Sequence, residues 1–439
     1  MPKLIIHGGT PLKGSIKLCG AKNASYKLMI ASLLCPHQIK LSNLSGIADV
    51  NLVKKIIQSL GAQVSSSTKR TLTINAKTLT SSTVPQDLGL ASRASSMFIA
   101  PLLARTKSAI VPLPGGDKIG KRPLDRHFAG LKALGAKIEF KNNSLQASCQ
   151  QLTGTTYKFP KNSHTGTETL IIAAALAQGQ TTIHNAALEP EVDDLIAFLN
   201  QMGANVKRFP NRVIKIIGVN QLKSTTYQVM PDRNEAVTFA IASYITQGDI
   251  VLKNARPDNL TAFLKKLKQA GAKFEINNSS IRFFSKNPLK AIDITTQSHP
   301  GFMTDWQPLW SVLATQSQGT SKIIEAVFTS RFQFAPDLIK MGADIKFFKP
   351  QPKNPDEFYN FNLEDDQPEN RHGMQITGPT PLKARAMKVT DIRAGATLAL
   401  AGLAAQGQTT LTGLEHIDRG YEDFAGRLLQ LGAKIKRLN

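Results

Sequence analysis

One pattern recurs six times along the chain: the end of an apolar-periodic helix, a Gly-Ala pair, then an alternating strand. It reads IIQSLGAQV at Gly61, LKALGAKIEF at Gly135, LNQMGANVKR at Gly203, LKQAGAKFEI at Gly271, LIKMGADIKF at Gly342 and LLQLGAKIKR at Gly432. Glycine just past a last helical turn adopts the left-handed conformation without Cβ strain, so it stops the helix. The alternation that follows is that of a half-buried strand. A second pattern accompanies the first, an Ala/Leu-rich helix running through Gln-Gly into a β-rich strand, as in AAALAQGQTTIHNA and LAAQGQTTLTGL. The first two units keep that helix and strand but lose the Gln-Gly, as in ASLLCPHQIKLSNL. Each unit therefore reads strand, helix, strand, helix, strand, with room for one further strand. Most Gly-Ala pairs lie about 70 residues apart, a period that marks a repeat architecture. The last spacing is longer, and its excess sits in PQPKNPDEFYNFNLEDDQPENRHG, residues 350–373. This segment is expected to be a solvated loop inserted into the sixth unit.

Length and charge narrow the class. A chain of 439 residues exceeds one ordinary core. The longest apolar stretch, around Leu170–Ala177, is too short to span a bilayer. No apolar h-region follows Met1, so no signal peptide is read. Cys19, Cys35 and Cys149 are scattered, forming neither a disulfide framework nor a zinc pattern, and a cytoplasmic location is expected. The net charge of +23 raises nucleic acid as a partner. Yet the charge is spread without blocks of Lys/Arg, and aromatic residues are not interleaved with it as a stacking platform requires. Nucleic-acid binding is therefore disfavoured as the main function.

Polar and charged residues stand just before each apolar first helix: Lys22-Asn23, Arg93, residues 161–167, Asp232-Arg233, Thr304-Asp305 and Asp391-Ile392-Arg393. Helix N-termini attract anions through unpaired N–H groups and the positive dipole end. Any one of these residues could be a cap, but several are Lys or Arg where a cap prefers Ser, Thr or Asp. Arginine suits forked recognition of phosphate and carboxylate. The run GGDKIGK at residues 115–121 has the spacing of a phosphate-binding P-loop. Arg122-Pro123 follow, however, supplying no hydroxyl and beginning a turn, so it reads instead as a basic lid, about 112–125, carrying Arg122.

Several segments bring a family into view: GAKNA at Gly20–Ala24, SRAS at Ser92–Ser95, PGG and GKRPLD within Pro114–Asp125, HPGFMTD at His299–Asp305, FTSRF ending at Phe332, TDIRA at Thr390–Ala394 and HIDRGYE at His416–Glu422. In these the chain resembles the enolpyruvyl transferases over essentially its full length. The resemblance implies an α/β fold of six βαβαββ repeats in two lobes, each an inside-out α/β barrel of three repeats. One lobe would span residues 22–230, the other 1–21 plus 231–439, with substrates bound in the cleft. Lys22-Asn23 and the arginine-proline lid favour the UDP-sugar branch over the shikimate branch, which typically carries Lys-Ser at the first loop.

That branch moves the enolpyruvyl group of phosphoenolpyruvate onto the 3-hydroxyl of UDP-N-acetylglucosamine in peptidoglycan synthesis, releasing phosphate through a tetrahedral intermediate. No metal or other cofactor is implied. The chemistry needs a cationic cradle, an acid for the enolpyruvyl CH2 and a base near the sugar hydroxyl. The resemblance places Lys22, Asn23, Arg122, Arg331, Arg393 and Arg419 on phosphoenolpyruvate. It places Asn23, Arg93, Arg122, Pro123, Leu124, Asp125, Arg126, Lys161, Asn162, Ser163, His164, Asp305 and Val327 on the UDP-sugar. Asp117, Asp305, Lys22 and Arg393 are the catalytic candidates, with Asp305 the base.

Two departures from the family pattern matter. Asp117 stands where most members carry a lid cysteine assigned as proton donor or as an aid to product release. An aspartate can act as acid if its pKa is raised, but it forms no thioether, so insensitivity to fosfomycin is expected. The segment SHTGTET at Ser163–Thr169 replaces the usual Val-Gly after the serine with His164-Thr165. The competing expectations are another acceptor, such as shikimate 3-phosphate, and a non-catalytic basic paralogue.

Overall fold

The computed structural model describes residues 2–115, 119–284 and 287–438. The chain divides into two compact units. One gathers the described residues of 2–19, 119–122 and 231–438, the other those of 20–115 and 123–230. Each has its own large apolar core.

The repeat is visible in both units. The first helix of each repeat is buried nearly all round: Lys22–Ala31, Ile99–Thr106, His164–Ala174, Arg233–Ile245, Gln307–Thr315 and Ile392–Ala404. Such helices are rich in Ala, Leu, Ile and Ser because no face meets water. The second helix of each repeat is amphipathic. Thr261–Gln269 buries Phe263, Leu264 and Leu267, while its lysines lie on the other side. Each fully buried Leu, Ile or Phe contributes roughly 1.5–3 kcal/mol. All six Gly-Ala glycines have positive φ, between 82° at Gly271 and 101° at Gly342. At the second turn signal Gly179, Gly319 and Gly407 also have positive φ, but Lys107 and Gln247 take that conformation in their repeats. Gly248, which follows Gln247, packs so close to the Leu12 carbonyl oxygen that a Cβ there would lie 2.1 Å from it.

Six sheets follow, five of four strands and one of three among the described residues. In the four-stranded sheets a strand preceding a first helix pairs parallel with a strand following one, and two antiparallel strands complete the set. Strands near the start and the middle of the chain exchange partners. Lys13–Lys17, which precedes the helix Lys22–Ala31, pairs parallel with Asp249–Lys253. Thr225–Gln228, which precedes the helix Arg233–Ile245, pairs with Gln38–Ser42. Lys3–His7 completes the last sheet between Gln408–Thr412 and Lys434–Leu438.

The insertion 350–373 differs from expectation in two respects. It joins Asp344–Phe348 to Gly373–Gly378, strands that pair antiparallel, so it belongs to the fifth repeat and not the sixth. Nor is it wholly solvated. It forms the short helix Pro355–Phe358 and the turn Leu363–Asp365, and Tyr359 and Phe361 form a small buried cluster with Ala326. Its aromatic residues interrupt the polar composition that had suggested a surface loop. Among the described residues no helix is long and apolar enough to cross a membrane.

Candidate active site

Charged residues gather at the starts of the buried helices in each unit, where a dipole end and unpaired N–H groups are available. The caps themselves are mostly ordinary. Ser92, Ser163, Asp232 and Asp391 accept backbone N–H bonds as N-caps, and the basic side chains follow one or two residues inside. The cations are therefore not replacing caps, as the sequence pattern had suggested; they stand beside them. Ala21, before Lys22, makes no side-chain cap at all.

In the unit containing Asp305, two buried guanidiniums converge on one carboxylate. Arg331 Nη2 donates to Asp305 Oδ1 at 3.0 Å, and Arg393 Nη2 lies 3.5 Å from Asp305 Oδ2. The Asp305 side chain keeps 22% exposure, so one end of the group meets solvent. Arg393 Nη1 donates to the Tyr421 hydroxyl at 3.0 Å, which lies 2.8 Å from Thr238 Oγ1. Arg331 Nη1 stands 3.9 Å from the cap carboxylate of Asp391. Arg331 Nε–H is buried without a hydrogen-bond partner, a donor the protein itself leaves unmet. Burial alone would lower the pKa of Arg393, but Asp305, Tyr421 and Asp232 together outweigh it and hold the guanidinium firmly protonated. Burial raises the Tyr421 pKa against the opposing charge of Arg393, keeping the phenol neutral.

A buried turn supports this group. Glu325 accepts from the N–H groups of Val327 and Phe328 and from Thr304 Oγ1. Its carboxyl pKa is raised by burial in spite of these bonds. Arg122 lies over the Phe328 ring at 5.4 Å and Arg331 over the same ring at 5.9 Å. Arg419 is half-buried just past the short helix Glu415–Asp418. Asp117 lies outside the described residues.

In the other unit Lys22, the first residue of its helix, pairs with Asp49 at 2.9 Å. Asn23 and Arg93 are half-buried at their helix starts. Arg126 Nη1 donates to the Asn162 carbonyl at 3.4 Å, joining the turn after Arg122 to the 161–163 loop. Ser163 Oγ caps its helix by accepting from Gly166 N at 3.1 Å. Lys161 and Asn162 are half-buried, Leu124 is buried, and Pro123 and Asp125 are exposed. His164 belongs to a set that was not anticipated. Lys27 Nζ lies 2.5 Å from Glu168 Oε2 and 3.0 Å from His164 Nε2, and Glu168 Oε1 lies 3.3 Å from His164 Nε2. Two signals could have revealed it: a lysine inside an apolar helix, and the i,i+4 spacing of His164 and Glu168. Asp49 gave no comparable signal, since an acid in a first helical turn is ordinary. Among the described residues, no three His, Cys, Asp or Glu side chains gather to hold a metal ion.

The profile of the family described as EPSP synthase (3-phosphoshikimate 1-carboxyvinyltransferase) matches residues 6–428. The chain belongs to the EPSP synthase family. Among its relatives is a UDP-N-acetylglucosamine 1-carboxyvinyltransferase of Carboxydothermus hydrogenoformans, 40% identical over all of this chain and 99% of that protein. Another, of the same name from Koribacter versatilis, is 39% identical over 100% of this chain and 97% of its own. Solved structures share the EPSP synthase fold. The enolpyruvyl transferase NikO from Streptomyces tendae aligns with a TM-score of 0.87 at 23% identity, over 99% of this chain and 98% of that one. The EPSP synthase of Acinetobacter baumannii aligns with a TM-score of 0.75 at 20% identity, covering both chains fully.

Proposed function

We propose that this chain transfers the enolpyruvyl group of phosphoenolpyruvate to the 3-hydroxyl of UDP-N-acetylglucosamine and releases phosphate, in peptidoglycan synthesis. The observation that carries the reading is the pair Arg331 and Arg393 on Asp305, with Arg331 Nε–H left without a partner. Full-length relatives at about 40% identity that bear this acceptor in their names support it. The free state of Cys19, Cys35 and Cys149 fits a reducing cytoplasm.

The steps follow from what the residues can do. Asp305 accepts the proton of the sugar hydroxyl as its oxygen bonds to C2 of phosphoenolpyruvate, and Asp117 protonates the CH2 carbon. The resulting tetrahedral adduct loses a proton from the methyl carbon and expels phosphate, restoring the double bond. Lys22, Arg122, Arg331, Arg393 and Arg419 neutralise the carboxylate and phosphate throughout, which is where fixed cations lower a barrier most. Asn23, Arg93, Pro123, Leu124, Asp125, Arg126, Lys161, Asn162, Ser163, His164 and Val327 hold the UDP-sugar.

Phosphate release from phosphoenolpyruvate, measured with UDP-N-acetylglucosamine, with shikimate 3-phosphate and with neither, tests the acceptor. Turnover only with the UDP-sugar is expected, and turnover only with shikimate 3-phosphate overturns the assignment. Because Asp117 supplies no thiolate, fosfomycin should cause no time-dependent inactivation. Progressive loss of activity on preincubation with fosfomycin would contradict that.

A further inference from the structure

The insertion 350–373 is anchored to the turn beneath the proposed substrate residues. Tyr359 stacks on Phe361 with ring centroids 4.7 Å apart, and Phe361 stacks on His372 at 5.1 Å. Asn360 N donates to the Ala326 carbonyl, and Glu325 N donates to the His372 carbonyl, each at 2.8 Å. One end of the insertion is thereby fixed to residues 325–326. The segment 119–122 docks on the continuation of the same turn. Ser330 N donates to the Ile119 carbonyl at 3.3 Å, and Arg122 rests on Phe328. Gly120, at φ +105°, approaches Thr329 so closely that a Cβ would lie 2.1 Å from its hydroxyl oxygen. The insertion also reaches this segment directly. Asp365 Oδ1 meets Lys121 Nζ at 2.7 Å, while Oδ2 accepts from Asn362 Nδ2 at 3.2 Å.

We infer that the insertion is a positioning element of the active site, with Asp365 clasping Lys121 so that Arg122 is held over Phe328. The role of Arg122 as a substrate ligand rests on the proposed function; the clasp itself does not. A pair between two exposed side chains would contribute little. Here the lysine side chain is 67% exposed but the aspartate only 6%. Without Lys121, the buried carboxylate keeps one amide donor, and an under-satisfied buried charge is costly. The hydrogen bond to Asp365, with its charge, raises the Lys121 pKa above its ordinary value.

Hydrogen exchange on the full chain, without substrates, tests the clasp at the peptide covering residues 119–122. Exchange should quicken about five- to tenfold in Lys121→Met and in Asp365→Asn, and stay near wild type in Lys121→Arg, which keeps the charge. In phosphate-release assays the first two variants should raise the KM for substrate by a similar factor while kcat changes by less than about twofold. Unchanged exchange in both Lys121→Met and Asp365→Asn overturns the inference, as does equal loosening in Lys121→Arg. Lys121 is exposed, so its variants fold even if Asp365→Asn does not. Should the wild type turn over neither acceptor, the proposed function fails while the exchange result still decides the clasp.

Discussion

The two units solve the burial of charge differently. Around Asp305 the cations are guanidiniums and the bonds are shared: Arg331 and Arg393 both serve one carboxylate, and each reaches a further partner through its other nitrogen. In the other unit the central cation is an ammonium, Lys27, 1% exposed and matched to Glu168, which is fully buried. A planar guanidinium with five donors can hold one anion and still offer N–H groups to another, whereas an ammonium is a compact point charge. The first group keeps solvent access at Asp305, whereas Lys27 and Glu168 in the second are almost wholly buried beside His164.

The sharpest break of that contrast is Arg393→Lys. If the fork matters, the lysine keeps the charge but cannot serve both Asp305 and Tyr421, and kcat/KM should fall at least about 100-fold in phosphate release. Retention of more than about a tenth of the activity would show that charge alone suffices there. Next comes Lys27→Met, which leaves Glu168 without its ammonium. Breaking a buried pair from one side costs about 3–5 kcal/mol, to be read from urea denaturation. The same variant has a pH signature. Burial alone would lower the His164 pKa, but Glu168 and Glu189 outweigh burial and Lys27, raising it above 6.5. A histidine with a raised folded pKa contributes stability that is fully present below about pH 6.5 and lost as pH rises through the folded value. Removing Lys27 removes a charge that opposes protonation, so the His164 titration followed by NMR should move to higher pH, and the loss of stability with it. An unmoved titration would mean that Lys27 does not act on His164.

The repeat and its turns were legible because their causes are local: Gly-Ala stops, period-two strands and apolar helices each announce themselves within a dozen residues. The exchange of partners by Lys13–Lys17 and Thr225–Gln228 joins strands 236 and 186 residues apart, and no local pattern fixes such pairing. The insertion's place in the fifth repeat was not legible, because a longer spacing between Gly342 and Gly432 does not say on which side of the strand Gly373–Gly378 the extra residues fall. The charged helix starts were readable as a set, and Asp305, Arg331 and Arg393 do meet. Their partners were harder to see. Asp49 and Glu325 resemble ordinary helix and strand-end acids until the fold brings Lys22 to the one and the Val327 and Phe328 N–H groups to the other.

Asp49→Asn probes the smallest difference, between two lysine pairs within one unit. Lys22 keeps 11% exposure against 1% for Lys27, so water can replace part of what a lost carboxylate supplied. Asp49 also lies in the first turn of the helix Ala48–Ser59, where its charge meets the dipole. Asparagine keeps the shape and a hydrogen-bonding oxygen but gives up that interaction, and the stability loss should be about 1 kcal/mol. The Lys22 ammonium remains in place, so the KM for phosphoenolpyruvate should change by less than about threefold. Urea midpoints of Asp49→Asn and Lys27→Met compared side by side decide the ranking. A larger loss from Asp49→Asn would make the Lys22 pair the structural one and leave the Lys27 set as the group open to a ligand.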